Sequence, residues 1–361
     1  MITKQSKDEI DTVTIGGIQY VFNKKEKTAS IKKNIFFNKV LVVPQSIMHD
    51  NQEYIITKIM KDSFLYQKYP KTIEFSTNSK VSIFEKLAFQ YSGLESLSIP
   101  SSVIDMQKGW CGYSWNLTKI NVMPNNPRYK LYENKYIIGK TSIEQENFDI
   151  LVFSVRDIKV AKIPNFIEII DQYAFSGCKY LSKVEIESDS KLRIIDENAF
   201  SFSAIKSIIF PSKLTHIGES AFESCKLLNR IEFRKDSELQ FIGDCAFKET
   251  SIEKITIPVQ LKIINSYAFY NCSNLHKFVI TEKSKLEILG KEAFSNTSIK
   301  SFYIPNHVMK IEDCAFSFCD FLQIVEFDEN VNLKYSDLDI FDDCSDTIIM
   351  IPIKLGKHFF E

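Results

Sequence analysis

The sequence has no excess of charge of either sign. Its 45 Lys and Arg residues are balanced by 46 Asp and Glu residues over 361 positions. General binding to nucleic acid or to anionic membranes requires a basic excess, so the balance argues against both of these functions. Since 44% of the residues are apolar, the chain can bury a core, and extensive disorder is not expected.

Long hydrophobic runs are also missing. No apolar run approaches the roughly 20 residues that a membrane-spanning helix needs. The longest runs, Val40–Val43 and Ile348–Ile351, have the length of strands. The first nine residues are mostly polar and charged, whereas a secretory signal needs an apolar stretch. From the sequence we expect neither a membrane span nor a conventional export signal.

Motifs that carry catalysis are absent as well. The chain has no Gly-x-Gly-x-x-Gly segment, no Walker loop and no Gly-x-Ser-x-Gly elbow. None of its five histidines occurs in a His-Glu-x-x-His spacing. We therefore expect a protein that is not an enzyme, with no cofactor and no metal site.

The eight cysteines follow a repeat instead of a disulfide pattern. Cys178, Cys225, Cys272 and Cys319 are spaced by 47 residues. In a stack of coils that spacing separates them by about 10 Å, which is too far for a disulfide. We interpret them as small buried residues in tight turns. A bridge between Cys319 and Cys344, which occupy equivalent positions in adjacent coils, remains open.

An internal repeat organises most of the chain. The pair Ala-Phe recurs, and from Phe175 onward its steps alternate between 25 and 22 residues, so the unit is a 47-residue double repeat. The phenylalanines of this series are Phe89, Phe175, Phe200, Phe222, Phe247, Phe269, Phe294 and Phe316. Pro164, Pro211, Pro258, Pro305 and Pro352 form a second series with a constant step of 47.

Each repeat predicts one coil of a solenoid. In Leu181-Ser-Lys-Val-Glu-Ile186, apolar and polar residues alternate, as in a half-buried strand. Proline cannot donate to a strand ladder and therefore ends every second strand. The following Ile-x-x-x-Ala-Phe segment has a helix-like or 3₁₀-like spacing. The sequence thus predicts an α/β-type repeat solenoid of about twelve coils, dominated by short β-strands, in which stacking buries a continuous core.

Two regions depart from the repeat. Residues 13–22 alternate around glycines and predict a β-hairpin, which we place in an N-terminal cap over residues 1–57. The solenoid is then expected over residues 58–361. Inside it, residues 125–160 carry an insertion with the pattern of a short β-hairpin in place of a regular coil.

The repeat resembles the BspA-like leucine-rich repeats. The segments that carry the resemblance include Ile217-Gly-Glu-Ser-Ala-Phe-Glu-Ser-Cys225 and Ile255-Thr-Ile-Pro258, and it covers roughly residues 55–361. The resemblance implies a curved, right-handed leucine-rich-repeat solenoid. It also implies a surface antigen or adhesin that mediates host or cell–cell contact, placed at the cell surface or secreted by a non-classical route.

The outward face of the predicted sheet is the best candidate for a ligand site, since Leu and Ile point inward and the residues between them point outward. Basic residues form one outward row and acidic residues much of the next. These charges are interpreted either as cross-strand ion pairs that keep the sheet soluble or as a protein-binding surface. The candidate residues are Lys183, Glu185, Arg230, Glu232, Lys254, Thr256, Lys277, Val279 and Tyr303.

Two hypotheses follow for the function. The first is a non-catalytic surface protein that binds host, matrix or cell-surface proteins through the sheet face. The second is a cytosolic scaffold or adaptor of the same fold, which reduced cysteines would favour. Neither involves nucleic acid, and the sequence leaves the ligand and the oligomeric state open.

Overall fold

A computed structural model describes residues 10–336, 339–344 and 347–350. Within these ranges the chain contains 31 strands and no helix. It divides into two compact units, residues 1–157 and 158–361. Since no helix occurs in the described ranges, none there could cross a membrane as an apolar helix.

The first unit begins with an antiparallel meander of β1, β2 and β3, so the predicted hairpin forms. The strands of this unit are β1 Ile10–Ile15, β2 Ile18–Asn23, β3 Thr28–Asn34, β4 Val40–Val43, β5 Ser46–His49, β6 Gln52–Ile59, β7 Thr72–Phe75, β8 Ile83–Phe84, β9 Ser96–Ile99, β10 Asp105–Met106, β11 Lys119–Val122, β12 Tyr129–Tyr132, β13 Tyr136–Gly139 and β14 Ile150–Ser154. Strands β3, β6, β8 and β10 form one parallel ladder, and β4, β7, β9 and β11 form another.

Strands β12, β13 and β14 are antiparallel and interrupt the parallel coils. They fall within residues 125–160. The domain boundaries expected from the sequence, at residue 57 for the cap and at 125–160 for the insertion, remain predictions.

The second unit consists of parallel coils. Its strands are β15 Val160–Ile163, β16 Ile169–Ile170, β17 Lys183–Ile186, β18 Ile194–Ile195, β19 Ser207–Phe210, β20 His216–Ile217, β21 Arg230–Phe233, β22 Phe241–Ile242, β23 Lys254–Thr256, β24 Ile263–Ile264, β25 Lys277–Val279, β26 Ile288–Leu289, β27 Ser301–Ile304, β28 Lys310–Ile311, β29 Ile324–Phe327, β30 Tyr335–Ser336 and β31 Ile348–Met350. The even-numbered two-residue strands form one continuous parallel ladder from β16 to β30. Pro352 and the rest of residues 351–361 lie outside the described ranges.

The odd-numbered strands form the sheet face, and their pairing alternates with the double repeat. Parallel sheets join β15 to β17, then β19 through β25, then β27 through β31. The pair β19–β21 has four residues in register, whereas β21–β23 has only Arg230 opposite Lys254. Pro258 follows β23, and because its nitrogen carries no hydrogen it cannot extend a ladder. Pro258 therefore ends β23.

The core is a stack of the repeat phenylalanines. Neighbouring rings from Phe175 to Phe316 lie nearly parallel, with centroids 4.8–5.4 Å apart. Each Phe and its preceding Ala are fully buried. The stack confirms the predicted continuous core, because every ring is covered by the coils on either side.

The Ala-Phe segments form turns, which corrects the expected helical spacing. Residues two before and two after the Phe have positive φ, as at Tyr173 and Gly177 beside Phe175. This geometry directs the Phe175 amide to the Ala199 carbonyl of the next coil, at 2.7 Å, instead of back along its own segment. The turns thus form a third hydrogen-bonded ladder. The solenoid has about 14 turns where about twelve were expected.

Candidate functional site

The predicted sheet-face residues lie on five strands of the second unit. Lys183 and Glu185 are on β17, Arg230 and Glu232 on β21, Lys254 and Thr256 on β23, Lys277 and Val279 on β25, and Tyr303 on β27. The lysines, Arg230 and Thr256 are exposed, and the other residues are half-buried. The face is therefore accessible, as its alternating pattern predicted.

Ion pairs account for one part of this face. Lys183 Nζ lies 2.7 Å from Glu185 Oε1, and Lys162 Nζ lies 3.9 Å from the same carboxylate. The hydrogen bond from Lys183 holds the pKa of Glu185 below its usual range. Arg230 Nε donates to Glu232 at 2.6 Å. These pairs fit the interpretation of a solvated surface, although two of the three lie within a strand instead of across strands.

The centre of the face differs. Arg230, Lys254 and Lys277 occupy consecutive register positions, so three cations lie side by side across β21, β23 and β25. Within the described ranges Lys254 and Lys277 have no carboxylate within 4 Å. Like charges in directly facing positions destabilise a sheet. Packing does not explain three adjacent cations at this place, and their arrangement marks the centre as a candidate binding site.

A cleft opens at the same place. Because β21 and β23 share one register pair only, the strands separate beyond it and leave a cavity of about 740 Å³, which we call the β21–β23 cleft. Its lining includes five cations, the single carboxylate Glu232, and a set of apolar and polar residues. These cations are Arg230, Arg234, Lys235, Lys254 and Lys277.

The predicted candidates do not all meet in one site. Arg230, Glu232, Lys254, Thr256, Lys277 and Val279 line the β21–β23 cleft, whereas Lys183 and Glu185 do not. Tyr303 lines a smaller groove of about 240 Å³ with Lys277 and Val279. Its hydroxyl donates to Asp328 Oδ2 at 2.7 Å, and burial together with this bond raises the pKa of Tyr303. This tyrosine is therefore held in place by a carboxylate.

Sequence reasoning missed two cationic residues of the cleft, Arg234 and Lys235, which follow β21 directly. The outward rows were defined from strand positions only, and these two residues lie beyond the end of the strand. The run Arg230-Ile-Glu-Phe-Arg-Lys235 carried the signal, since four of its six residues are charged.

One cluster in the first unit has the residue types of a metal site. Asp11, His49 and Asp50 have ligand atoms within 4.8 Å of one another. However, Lys24 Nζ lies 3.8 Å from Asp11, and Asp50 belongs to the exposed turn between β5 and β6. His49 also stacks on Phe22, with ring centroids 4.7 Å apart. These contacts describe a hairpin anchored by an imidazole–carboxylate pair.

All eight cysteines are free thiols. Cys178, Cys225, Cys272 and Cys319 are fully buried, which agrees with the prediction of small buried turn residues. The Cys225 thiol donates to the Phe200 carbonyl of the preceding coil at 3.0 Å. Cys319 and Cys344 are likewise reduced and donate to the carbonyls of Phe294 and Phe316.

This combination of parallel coils, a phenylalanine stack and an exposed sheet face defines a leucine-rich-repeat solenoid. The family model described as the BspA type leucine rich repeat region matches residues 20–136, 141–276 and 240–361, with six copies. The chain belongs to this family. Proteins with such repeats are typically non-enzymatic scaffolds that bind other proteins.

One solved structure supports the fold, and two further solved structures are similar at lower scores. A leucine-rich repeat protein from Eubacterium ventriosum is similar with a TM-score of 0.59 and 16% identity, covering 85% of this chain and 94% of that one. A leucine-rich repeat protein from Bacteroides ovatus has a TM-score of 0.46 and 20% identity, over 93% and 70%. A leucine rich cell surface protein from Faecalibacterium prausnitzii has a TM-score of 0.47 and 19% identity, over 96% of both chains. No curated protein matches the sequence significantly.

Proposed function

We propose that this protein is a non-catalytic surface protein that binds other proteins through the sheet face of its second unit. The observation that carries the proposal is the row of Arg230, Lys254 and Lys277 beside the β21–β23 cleft. Arg230 is paired with Glu232, but Lys254 and Lys277 have no carboxylate within 4 Å among the described residues. Adjacent like charges cost stability in the free protein, and a bound partner that supplies negative charge would offset that cost. Membership of the family supports the proposed placement at the cell surface and the proposed role as antigen or adhesin.

Charge reversal tests the binding face. Replacing Lys254→Glu and Lys277→Glu together should weaken the capture of host, matrix or neighbouring-cell surface proteins by the immobilised chain at least tenfold. The double variant should keep the wild-type melting temperature, because both side chains are exposed. The readout is mass spectrometry of the captured proteins against a wild-type column.

A matched control is available in Lys226→Glu with Lys262→Glu. Both lysines are exposed and lie outside the cleft, and the change in net charge is the same. Capture should survive in this control variant. An equal loss of capture in both variants would show that the effect comes from net charge alone. Unchanged capture in the Lys254/Lys277 variant would show that the binding site lies elsewhere.

The eight free thiols favour one alternative, a cytosolic scaffold or adaptor with the same binding face. Reduced cysteines are usual in the cytosol, whereas secreted proteins tend to form disulfides. The two functions share the cleft and differ in location.

A further inference from the structure

We propose that the β21–β23 cleft binds an extended acidic peptide segment whose carboxylates alternate with apolar side chains. The inference rests on the proposed function and specifies its ligand.

Charge is the first argument. The cleft has five cations in its lining, and among the described residues only Arg230 of these has a carboxylate within 4 Å, that of Glu232. Arg234 also interacts at longer range with Asp236, whose pKa it helps to lower. In the described part of the chain, Arg234, Lys235, Lys254 and Lys277 have no salt bridge. Such a concentration of one sign in a concave site favours a ligand of the opposite sign.

A buried donor is the second argument. Arg234 Nε is shielded from solvent and has no hydrogen-bond partner among the described residues. A buried polar atom without a partner is costly, and native structures contain few of them. Arg234 belongs to the lining of the cleft, and guanidinium groups bind carboxylates with particularly favourable geometry.

The apolar part of the lining selects a peptide over a sulfated polysaccharide. Phe233 and Val279 are half-buried, and Val259 is 38% exposed at the rim. Apolar surface beside cations matches a chain that carries both carboxylates and hydrophobic side chains, whereas a sulfated polysaccharide would use only the cations. Ligand sites commonly combine an apolar wall with a few polar groups in volumes of about 300–1,000 Å³.

The shape of the cleft favours an extended segment. Glu232 and Phe233 are in register with β19 only, and Thr256 is in register with β25 only. The Ile257 amide donates to Val279 at 3.1 Å, so β23 leans toward β25 and away from β21. The space left between β21 and β23 runs along the strands, and an extended peptide is the ligand that follows this direction.

The probe is a fluorescent octapeptide of alternating Glu and Val, titrated with the full chain in fluorescence anisotropy. We expect saturable binding that weakens as salt increases. The Lys254/Lys277 reversal should weaken it at least tenfold, and the Lys226/Lys262 control should leave it unchanged. The corresponding Gln/Val peptide should bind at least tenfold more weakly, and an all-Glu octapeptide should be weaker than Glu/Val.

Several results would overturn the inference. These are equal binding of the Gln/Val peptide, equal loss in the control variant, or no binding of Glu/Val at all. Two results together would indicate a site for polyanions instead. These are displacement of the peptide by a heparin-type oligosaccharide and equal affinity for the all-Glu and the Glu/Val peptides. If the peptide fails while the reversal still abolishes capture of cell-surface proteins, the peptide inference falls and the proposed function stands. If both fail, both are wrong.

Discussion

At the residue scale, Cys225 and Cys272 of the repeated series are buried thiols held in their neutral form. Burial raises the pKa of Cys225 to about 12 and those of Cys111 and Cys272 to about 11. Both thiols donate to backbone carbonyls, Cys225 to Phe200 and Cys272 to Phe247. Thiolates would lose these bonds and would be buried charges, so the fold stabilises the protonated state.

The consequence is a defined pH dependence. A pKa raised by folding contributes stability that is complete below the unfolded-state value near 9 and is lost as pH rises toward 11–12. We expect the free energy of unfolding to fall by about 1 kcal/mol per buried thiol between pH 8 and pH 10. Urea titrations at a series of pH values measure this slope.

Cys225→Ser provides the control. Ser203, Thr250 and Thr297 occupy the equivalent position in alternate coils, so a hydroxyl is compatible with the site. A hydroxyl does not ionise in this range, and the alkaline slope should be shallower in this variant. If the variant and the wild type show the same slope, groups other than Cys225 cause the loss of stability at alkaline pH.

Residue identities inside the repeat were predictable because they recur. The Phe and Cys series locate buried positions by their spacing alone, and the structure buries both. The cluster of Asp11, His49 and Asp50 was not predictable in this way. It forms because the strand pairing at the start of the first unit brings β1 close to the β5–β6 turn, and no spacing in the sequence records that contact.

At the element scale, the strands were predictable and the turns were not. Alternation of apolar and polar residues identifies the strand faces directly. The turn positions with positive φ hold Tyr173, Asn198, Ser220, Cys245 and Glu292, among others, where glycine would be the usual signal. The bonds between adjacent coils, not local preference, impose this conformation, so the apparent helical spacing was misleading.

The cleft is also an element-scale property. It arises where β21 and β23 share a single register pair, and the sequence analysis did not predict it. Six residues of the outward rows lie in its lining, and their role in binding remains a prediction. The outward rows already placed these basic residues in one row, and one interpretation of the two rows was ion pairs across the sheet. The register shows that Arg230, Lys254 and Lys277 face one another directly.

This register gives a stability prediction. In Lys254→Glu, a carboxylate would lie between Arg230 and Lys277, and two repulsive contacts would become attractive. We expect the free energy of unfolding to rise by about 0.2–1 kcal/mol, measured by urea denaturation at low salt. Lys226→Glu, outside the cleft, should change it by less than about 0.5 kcal/mol.

The same variant separates stability from binding. Lys254→Glu should be at least as stable as the wild type and yet bind its partner more weakly. A substantial decrease in stability would mean that Lys254 contributes to the fold, and the cation row would then need no ligand to explain it.

At the scale of the whole molecule, both units contain the parallel coils of the repeat, and two groups of antiparallel strands depart from it. The second unit is regular from β15 onward and carries the candidate site. The first contains antiparallel strands at both of its ends, β1 to β3 and β12 to β14. Repeat proteins gain stability from contacts between neighbouring coils, so the exposed sheet face is free to vary and to bind.

The measurement that tests the account most directly is labelling of intact cells with a membrane-impermeant amine reagent, followed by peptide mapping. The account predicts labelled Lys254 and Lys277 before lysis, while a cytosolic control enzyme remains unlabelled, because both side chains are exposed. Labelling of these lysines only after lysis would contradict a surface protein that binds through this face. The search for partners would then turn to the cytosol.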